Sequence, residues 1–363
     1  MKKRTLAALL IIISFASCRK EIDNSSQLTT SNNEQITGSI IATPATNFDS
    51  LFTRFGNGWT GGDGASSHVL PDGRSMWLFG DSYLDTVYPD RTRPLIGFIH
   101  NTVVLTDRAG GFTTLYGGTK QAPLPYFVAA QPDQYYWPSA SFINAAKTQM
   151  FVLMARISPT GEGGLFGFEV AGNDIAVLSL PDLTLQRIVP FSKGSFIDWS
   201  SATLENNDGY IYLYGVESTK FNKFIHVART PAKNPLRTVT FYDGTNWVAD
   251  SAKSARIQGG VSEQFSMFKY QKKFYLLSQG NLLSPSIYLW DAASPVGPFT
   301  GKRKVYTTPQ SGNLITYNAS AHPEFIKNNQ LLVGYSINST NFMDLYTNAD
   351  NYRPYFVWIS NWQ

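Results

Sequence analysis

The chain has one cysteine, four histidines and few charges: Asp, Glu, Lys and Arg make up 15% of its 363 residues. A single cysteine, Cys18, excludes an intrachain disulfide, so the fold must rest on packing and backbone pairing. No two of His68, His100, His226 and His322 have the spacing of a zinc pair, and a zinc site is not expected. No Gly-x-Ser-x-Gly elbow is present, so no serine is read as a nucleophile. The formal charge is +4, but Lys2, Lys3 and Arg4 lie in an N-terminal leader; 4 − 3 leaves about +1. No Lys/Arg cluster outside that leader resembles a phosphate-tracking patch, which argues against a nucleic-acid partner. No convincing helical apolar period follows the leader. What the chain has in quantity is aromatic residues (14%), 29 Gly and 19 Pro, a balance that points to an all-β fold.

Residues 1–17 combine a basic start with an apolar run from Leu6 to Phe15, too short to span a bilayer and suited to a secretory signal. Phe15-Ala16-Ser17-Cys18 resembles a bacterial lipobox, which implies lipidation of Cys18 as the new N-terminus; the alternative is an ordinary cysteine near a cleavage site. Residues 18–47 are rich in Ser, Thr, Asn and Gln and read as a flexible tether. Lys20-Glu21 after the cysteine is similar to the surface-export signal of Bacteroidetes-type lipoproteins. The expected location is the outer membrane, cell-surface or periplasm-facing, held by the lipid anchor alone, with a monomeric domain.

Residues 48–363 repeat one module five times. Apolar strands centre on Trp77, Phe151, Tyr212, Tyr275 and Leu332, at steps of 74, 61, 63 and 57 residues. Each follows a turn and a polar, Ser-bearing stretch, as in Pro71-Asp72-Gly73 before Ser75–Phe79 and Asn206-Asn207-Asp208-Gly209 before Tyr210–Tyr214. Strand repeats of this size predict a five-bladed β-propeller, with the polar stretches as inner strands around the axis. The small serines there are explained by crowding alone.

Fourteen residues before each apolar strand's second position stand Asp63, Trp137, Asp198, Val261 and Asn318, with Glu263 two beyond Val261. This register places Asp63, Asp198 and Glu263 at one end of the axis; the competing reading for each is a plain turn acid. Asp81, in Phe79-Gly80-Asp81-Ser82, is either a site residue or a structural cap. Asp72 and Asp208 are turn residues. Acids from separate blades facing each other can divide general acid and base roles, as glycosidic hydrolysis requires. Trp137 and Trp199 share the axial register and are read as sugar-stacking platforms or as blade packing; Tyr135 is read as packing. His322, beside Asn318, either bonds a sugar hydroxyl, holds an axial ion through water, or is a buried structural histidine. Arg91 and Arg93 fall in a long insertion placed to rim the cleft. No cofactor is required; an axial metal ion is the one candidate, with no metal ligands assigned.

Gly61-Gly62-Asp63-Gly64, Leu70-Pro71-Asp72-Gly73-Arg74, Trp77-Leu78-Phe79-Gly80-Asp81 and Asn101-Thr102-Val103-Val104 resemble the opening blade of a bacterial five-bladed propeller family that includes endo-D-arabinofuranases. Ser294-Pro295-Val296-Gly297-Pro298-Phe299 and His322-Pro323-Glu324 are similar to motifs of the wider arabinanase and β-xylosidase propellers. The resemblance implies a glycoside hydrolase acting on furanoside-containing, arabinan-like polysaccharide, with paired aspartates at Asp63 and Asp81 and an inverting mechanism. The chain departs from the xylosidase-type pattern in blade two, where Trp137 stands in place of an acid. The alternative is a surface lipoprotein that binds a poly- or oligosaccharide without cleaving it.

Overall fold

The computed structural model describes residues 38–162, 167–193, 196–281 and 283–363. The leader, Cys18 and most of the expected tether lie outside the described residues. From Gly38 onward the chain forms one compact unit.

Five antiparallel sheets make five blades. Their inner strands are Trp59–Val69, Tyr135–Ile143, Ile197–Glu205, Phe265–Tyr270 and Leu314–Lys327. Each inner strand touches the inner strand of the next blade, and the fifth touches the first, so the ring is closed. The second strands are Ser75–Leu84, Gln149–Pro159, Tyr210–Ser218, Lys273–Gln279 and Gln330–Ser339, the five apolar segments of the repeat. The hairpin of blade one turns at Gly73, whose φ of +87° is open to glycine and costly for other residues; its N–H bonds the Leu70 carbonyl at 2.9 Å.

The apolar strands read as continuous rather than alternating runs because both of their faces are buried. Met76 and Leu78 pack toward blade two, with Met150 and Val152. Trp77 and Phe79 point the other way, to Leu332, Phe356 and Trp358 of blade five. The same division repeats around the ring, with Phe151 and Leu153 on Leu213, Tyr212 and Tyr214 on Leu276, and Tyr275 and Leu277 on Val333. The core is thus five wedges between blades. Each buried side chain of this size contributes roughly 1.5–3 kcal/mol.

One boundary is corrected. Residues 41–44, assigned to the tether by composition, form a strand, Ile41–Pro44, paired antiparallel with Pro354–Ser360 from Ile41↔Ser360 to Pro44↔Val357. The N-terminal end of the domain therefore supplies the outer strand of the last blade. The helix Thr46–Phe52 follows, and its Phe48 and Phe52 fill the wedge between blades five and one. An edge strand is held by backbone pairing and needs few apolar side chains, which is why its composition looked like a linker. Among the described residues no helix is long and apolar enough to cross a membrane.

Candidate active site

The site is built on irregular pairing in blade one. Gly62 pairs with Ser82 and Gly64 with Phe79, so Asp63 on one strand and Gly80-Asp81 on the other fall inside a bulge. A bulge releases residues from the ladder and re-aims their side chains. Here it frees two aspartates from regular pairing, close enough for the charge of Asp81 to bear on Asp63. Room for the Asp63 carboxylate exists because residue 80 is glycine: a Cβ there would stand 2.8 Å from Asp63 Oδ1.

The two acids have different surroundings. The Tyr317 hydroxyl donates to Asp63 Oδ2 at 2.6 Å, and Tyr352 bonds the same carboxyl. Asn338 Nδ2 donates to the Tyr317 oxygen at 3.1 Å and orients it. Burial, then the neighbouring charge of Asp81, push the Asp63 pKa up to about 7; the tyrosine hydrogen bonds oppose this in part. Burial and Asp63 itself hold Tyr317 well above the usual phenol range, so it remains a donor. Asp81 Oδ1 instead accepts from Trp137 Nε1 at 2.9 Å and lies 3.0 Å from His100 Nδ1. His100 stacks on Tyr135 with centroids 3.8 Å apart, and Trp137 packs edge-on to Tyr135 and Phe168. The pair is therefore one acid that holds its proton near neutrality beside one that faces N–H donors.

Trp137 reaches Asp81 through its ring nitrogen. Asn318 adopts φ +53° in a bulge of the blade-five inner strand, and its neighbour Tyr317 is the residue that reaches Asp63. Tyr317, Tyr352, His100 and Tyr135 were not selected from the sequence as site residues. Tyr317 stands next to the axial Asn318, and Tyr135 two residues before Trp137, whereas His100 and Tyr352 lie in connections outside the repeat register, which offers no sequence signal for them.

Asp198 and Glu263 form a separate cluster. Asp198 Oδ1 accepts from Asn173 Nδ2 at 2.6 Å and from the Ser200 N–H at 2.9 Å and hydroxyl at 2.6 Å. Burial raises its pKa, those hydrogen bonds lower it, and the charge of Glu263 raises it further. Glu263 pairs with the nearly buried Lys223 at 2.9 Å.

Three expectations are corrected. Trp199 is 1% exposed and packs against Phe191 and Phe241, so it offers no face to a sugar. His322 is fully buried against Trp77 and Phe356, with Nδ1 2.5 Å from Ser67 Oγ; burial drives its pKa down to about 3, and it cannot reach a ligand. Arg93 is 5% exposed, lies over the Tyr83 ring at 4.3 Å and donates to the Ala349 carbonyl, so it supports the wall from behind and does not rim it. Among the described residues no group of three or more His, Cys, Asp or Glu is arranged to hold a metal ion.

A closed ring of five blades defines the class: a five-bladed β-propeller of the architecture seen in glycoside hydrolases. Within it the chain belongs to the family described as "Domain of unknown function (DUF5005)", whose model matches residues 45–362. A structure from Bacteroides ovatus, described as a "putative hydrolase", is similar at TM-score 0.73 and 20% identity, over 91% of this chain and 93% of that one. An exo-β-1,3-galactanase from Clostridium thermocellum is similar at TM-score 0.51 and 11% identity, over 82% and 58%. Another, from Phanerochaete chrysosporium with galactose, reaches 0.50 at 11% identity, over 82% and 60%. At these identities the likeness concerns the fold. No curated protein sequence matches the chain.

Proposed function

We propose that this protein is a glycoside hydrolase in which Asp63 and Asp81 are the acid and the base. The observation that carries the reading is the pairing of Asp63, its pKa raised to about 7, with an Asp81 that faces two ring nitrogens. As the glycosidic C–O bond breaks, protonated Asp63 gives its proton to the leaving oxygen. A water attacks the anomeric carbon and passes its proton to Asp81. The product is a free sugar of inverted configuration. Tyr317 and Tyr352 then stabilise the Asp63 carboxylate until it is reprotonated.

Furanoside-containing, arabinan-like polysaccharide is the substrate class we propose, on the resemblance carried by the blade-one motifs. Galactan is the competing substrate, since galactanases share the architecture. Asp198 of blade three and Glu263 just before the inner strand of blade four support substrate across the ring from the aspartate pair. The leader places the enzyme at the outer membrane through Cys18.

Incubation with arabinan, arabinogalactan, β-1,3-galactan and xylan, read by reducing-sugar release and by NMR of the first-formed anomer, tests this. The expected result is release from one of the furanoside polymers, lost on Asp63→Asn and Asp81→Asn. Tight binding of a polymer with no release by the wild type would overturn catalysis in favour of a glycan-binding protein.

A further inference from the structure

The second strand of blade five, Gln330–Ser339, divides its side chains between two neighbours. Leu331, Val333, Tyr335 and Ile337 pack in the wedge with blade four, and Leu332 packs in the wedge with blade one. Ser336 and Asn338 continue the face of Leu332, where the apolar wedge gives way to the surroundings of Asp63. Ser336 is 1% exposed, and its Oγ accepts from the Gly64 N–H, the peptide that follows Asp63, at 3.1 Å. Asn338, two residues on, reaches Tyr317.

The hydrogen bonds around Asn338 run in one direction. The Ser339 N–H donates to Asn338 Oδ1 at 2.7 Å, which leaves Nδ2 as the end turned to Tyr317. Nδ2 donates to the Tyr317 oxygen at 3.1 Å. A phenol has one proton, and here it goes to Asp63 Oδ2, at 2.6 Å. Backbone groups pin the relay at both ends: the Ser339 N–H where it starts, and the Gly64 N–H, held by Ser336, beside the acid. The other titratable groups facing Asp63 are Asp81, from the second strand of blade one, and Tyr352, from the connection 340–353. The buried Arg93 bears on Tyr352 by its charge. Blade two brings Trp137 against Gly80, and an indole does not titrate.

We infer that Asn338 is a positioning residue for the acid: it commits the Tyr317 hydroxyl to Asp63 across the seam where the fifth blade closes on the first. Its part in turnover rests on the glycosidase reading, while its hold on the Asp63 proton does not. A hydrogen bond given to a carboxylate favours the ionised form. In Asn338→Ala the Tyr317 hydroxyl can turn away, and Asp63 keeps its proton to higher pH. Asn338→Asp, of nearly the same shape, accepts the Tyr317 proton itself and adds a like charge, so the rise is larger.

Carboxyl carbon NMR of the full chain would titrate Asp63 in the wild type, Asn338→Ala, Asn338→Asp, Tyr317→Phe and the double variant Tyr317→Phe/Asn338→Ala. Asn338→Ala should raise the midpoint by about 0.5 to 1, and Asn338→Asp by more. In the Tyr317→Phe background Asn338→Ala should add nothing, since the path through the hydroxyl is gone. On a polymer that the wild type cleaves, the alkaline limb of the rate profile should climb with the midpoint. Below that limb kcat should fall by up to about ten-fold, with KM little changed. A raised midpoint with no polymer cleaved would sink the glycosidase reading and leave Asn338 in its role. A midpoint unmoved in both Asn338 variants, or an alanine effect undiminished without the Tyr317 hydroxyl, would overturn the inference even in an active enzyme.

Discussion

The Asp63 carboxylate occupies the space that a side chain would take at Gly80, 2.8 Å from where a Cβ would lie. Trp137 Cδ1 closes the other side of that position at 3.4 Å. The strand therefore cannot carry a side chain there unless the acid moves. Gly80→Ala should lower turnover by roughly 10²-fold, the scale expected when a reacting group is displaced by about 1 Å. Folding should change little, since Gly80 lies outside the five wedges. Steady-state kinetics beside a melting curve would check this; near-normal turnover would mean that Asp63 tolerates displacement and does no chemistry.

Asp63 should titrate near neutrality. Carboxyl carbon NMR should give it an apparent pKa of about 7. Asp81→Asn removes the second largest cause of the rise and should lower that value. Activity that needs protonated Asp63 should fall as pH climbs through 7. A carboxyl that titrates in the ordinary aspartate range would remove the general acid from the scheme.

The same shift has a consequence for stability. A pKa raised by folding stabilises the native state at low pH, and that contribution is lost as pH rises through the folded value near 7. Asp63→Asn should therefore raise Tm relative to the wild type at pH 8 and bring no gain at pH 4. His322 acts in the opposite sense. Its folded pKa is lowered to about 3, so stability should fall as pH drops from about 6.5 toward 3, by up to about 1.4 kcal/mol per pH unit. His322→Gln should flatten the acid limb of that profile in denaturant titrations.

Trp137→Phe would keep a ring against Tyr135 while removing the N–H that reaches Asp81. Loss of one hydrogen bond to a charged group costs about 1.5–3 kcal/mol. A fall of roughly 10- to 100-fold in kcat with a modest change in KM is expected; a change confined to KM would make Trp137 a platform only.

A chain starting at residue 48 should be markedly less stable than one starting at Gly38. It would lack Ile41–Pro44 and leave the edge of Pro354–Ser360 unpaired. Light scattering during a thermal ramp should show earlier aggregation, as unpaired edges template it.

The blades were legible because their signals are local. Pro71-Asp72-Gly73 and Asn207-Asp208-Gly209 set hairpins, and the runs around Trp77, Phe151, Tyr212, Tyr275 and Leu332 are the strands buried on both faces. Asp63, Asp81 and Trp137 were legible through register and resemblance, and they do come together. Tyr317 was missed by one residue, since a bulge at Asn318 decides which neighbour faces the axis. Trp199 stands one residue past Asp198, the position equivalent to Trp137, and is sealed in the wedge between blades two and three, under Phe191 of the one and Phe241 of the other.

What the amino-acid sequence determined by itself was therefore the architecture: turn chemistry and burial pattern act over a few residues, and five repetitions of them leave a ring as the way to bury every wedge. What the tertiary structure alone decided was the chemistry of the site. Bulges, which depend on both strands of a pair, free the aspartates from regular pairing, and only packing between distant blades sets which aromatic is covered, which donates, and how strongly Asp63 holds its proton.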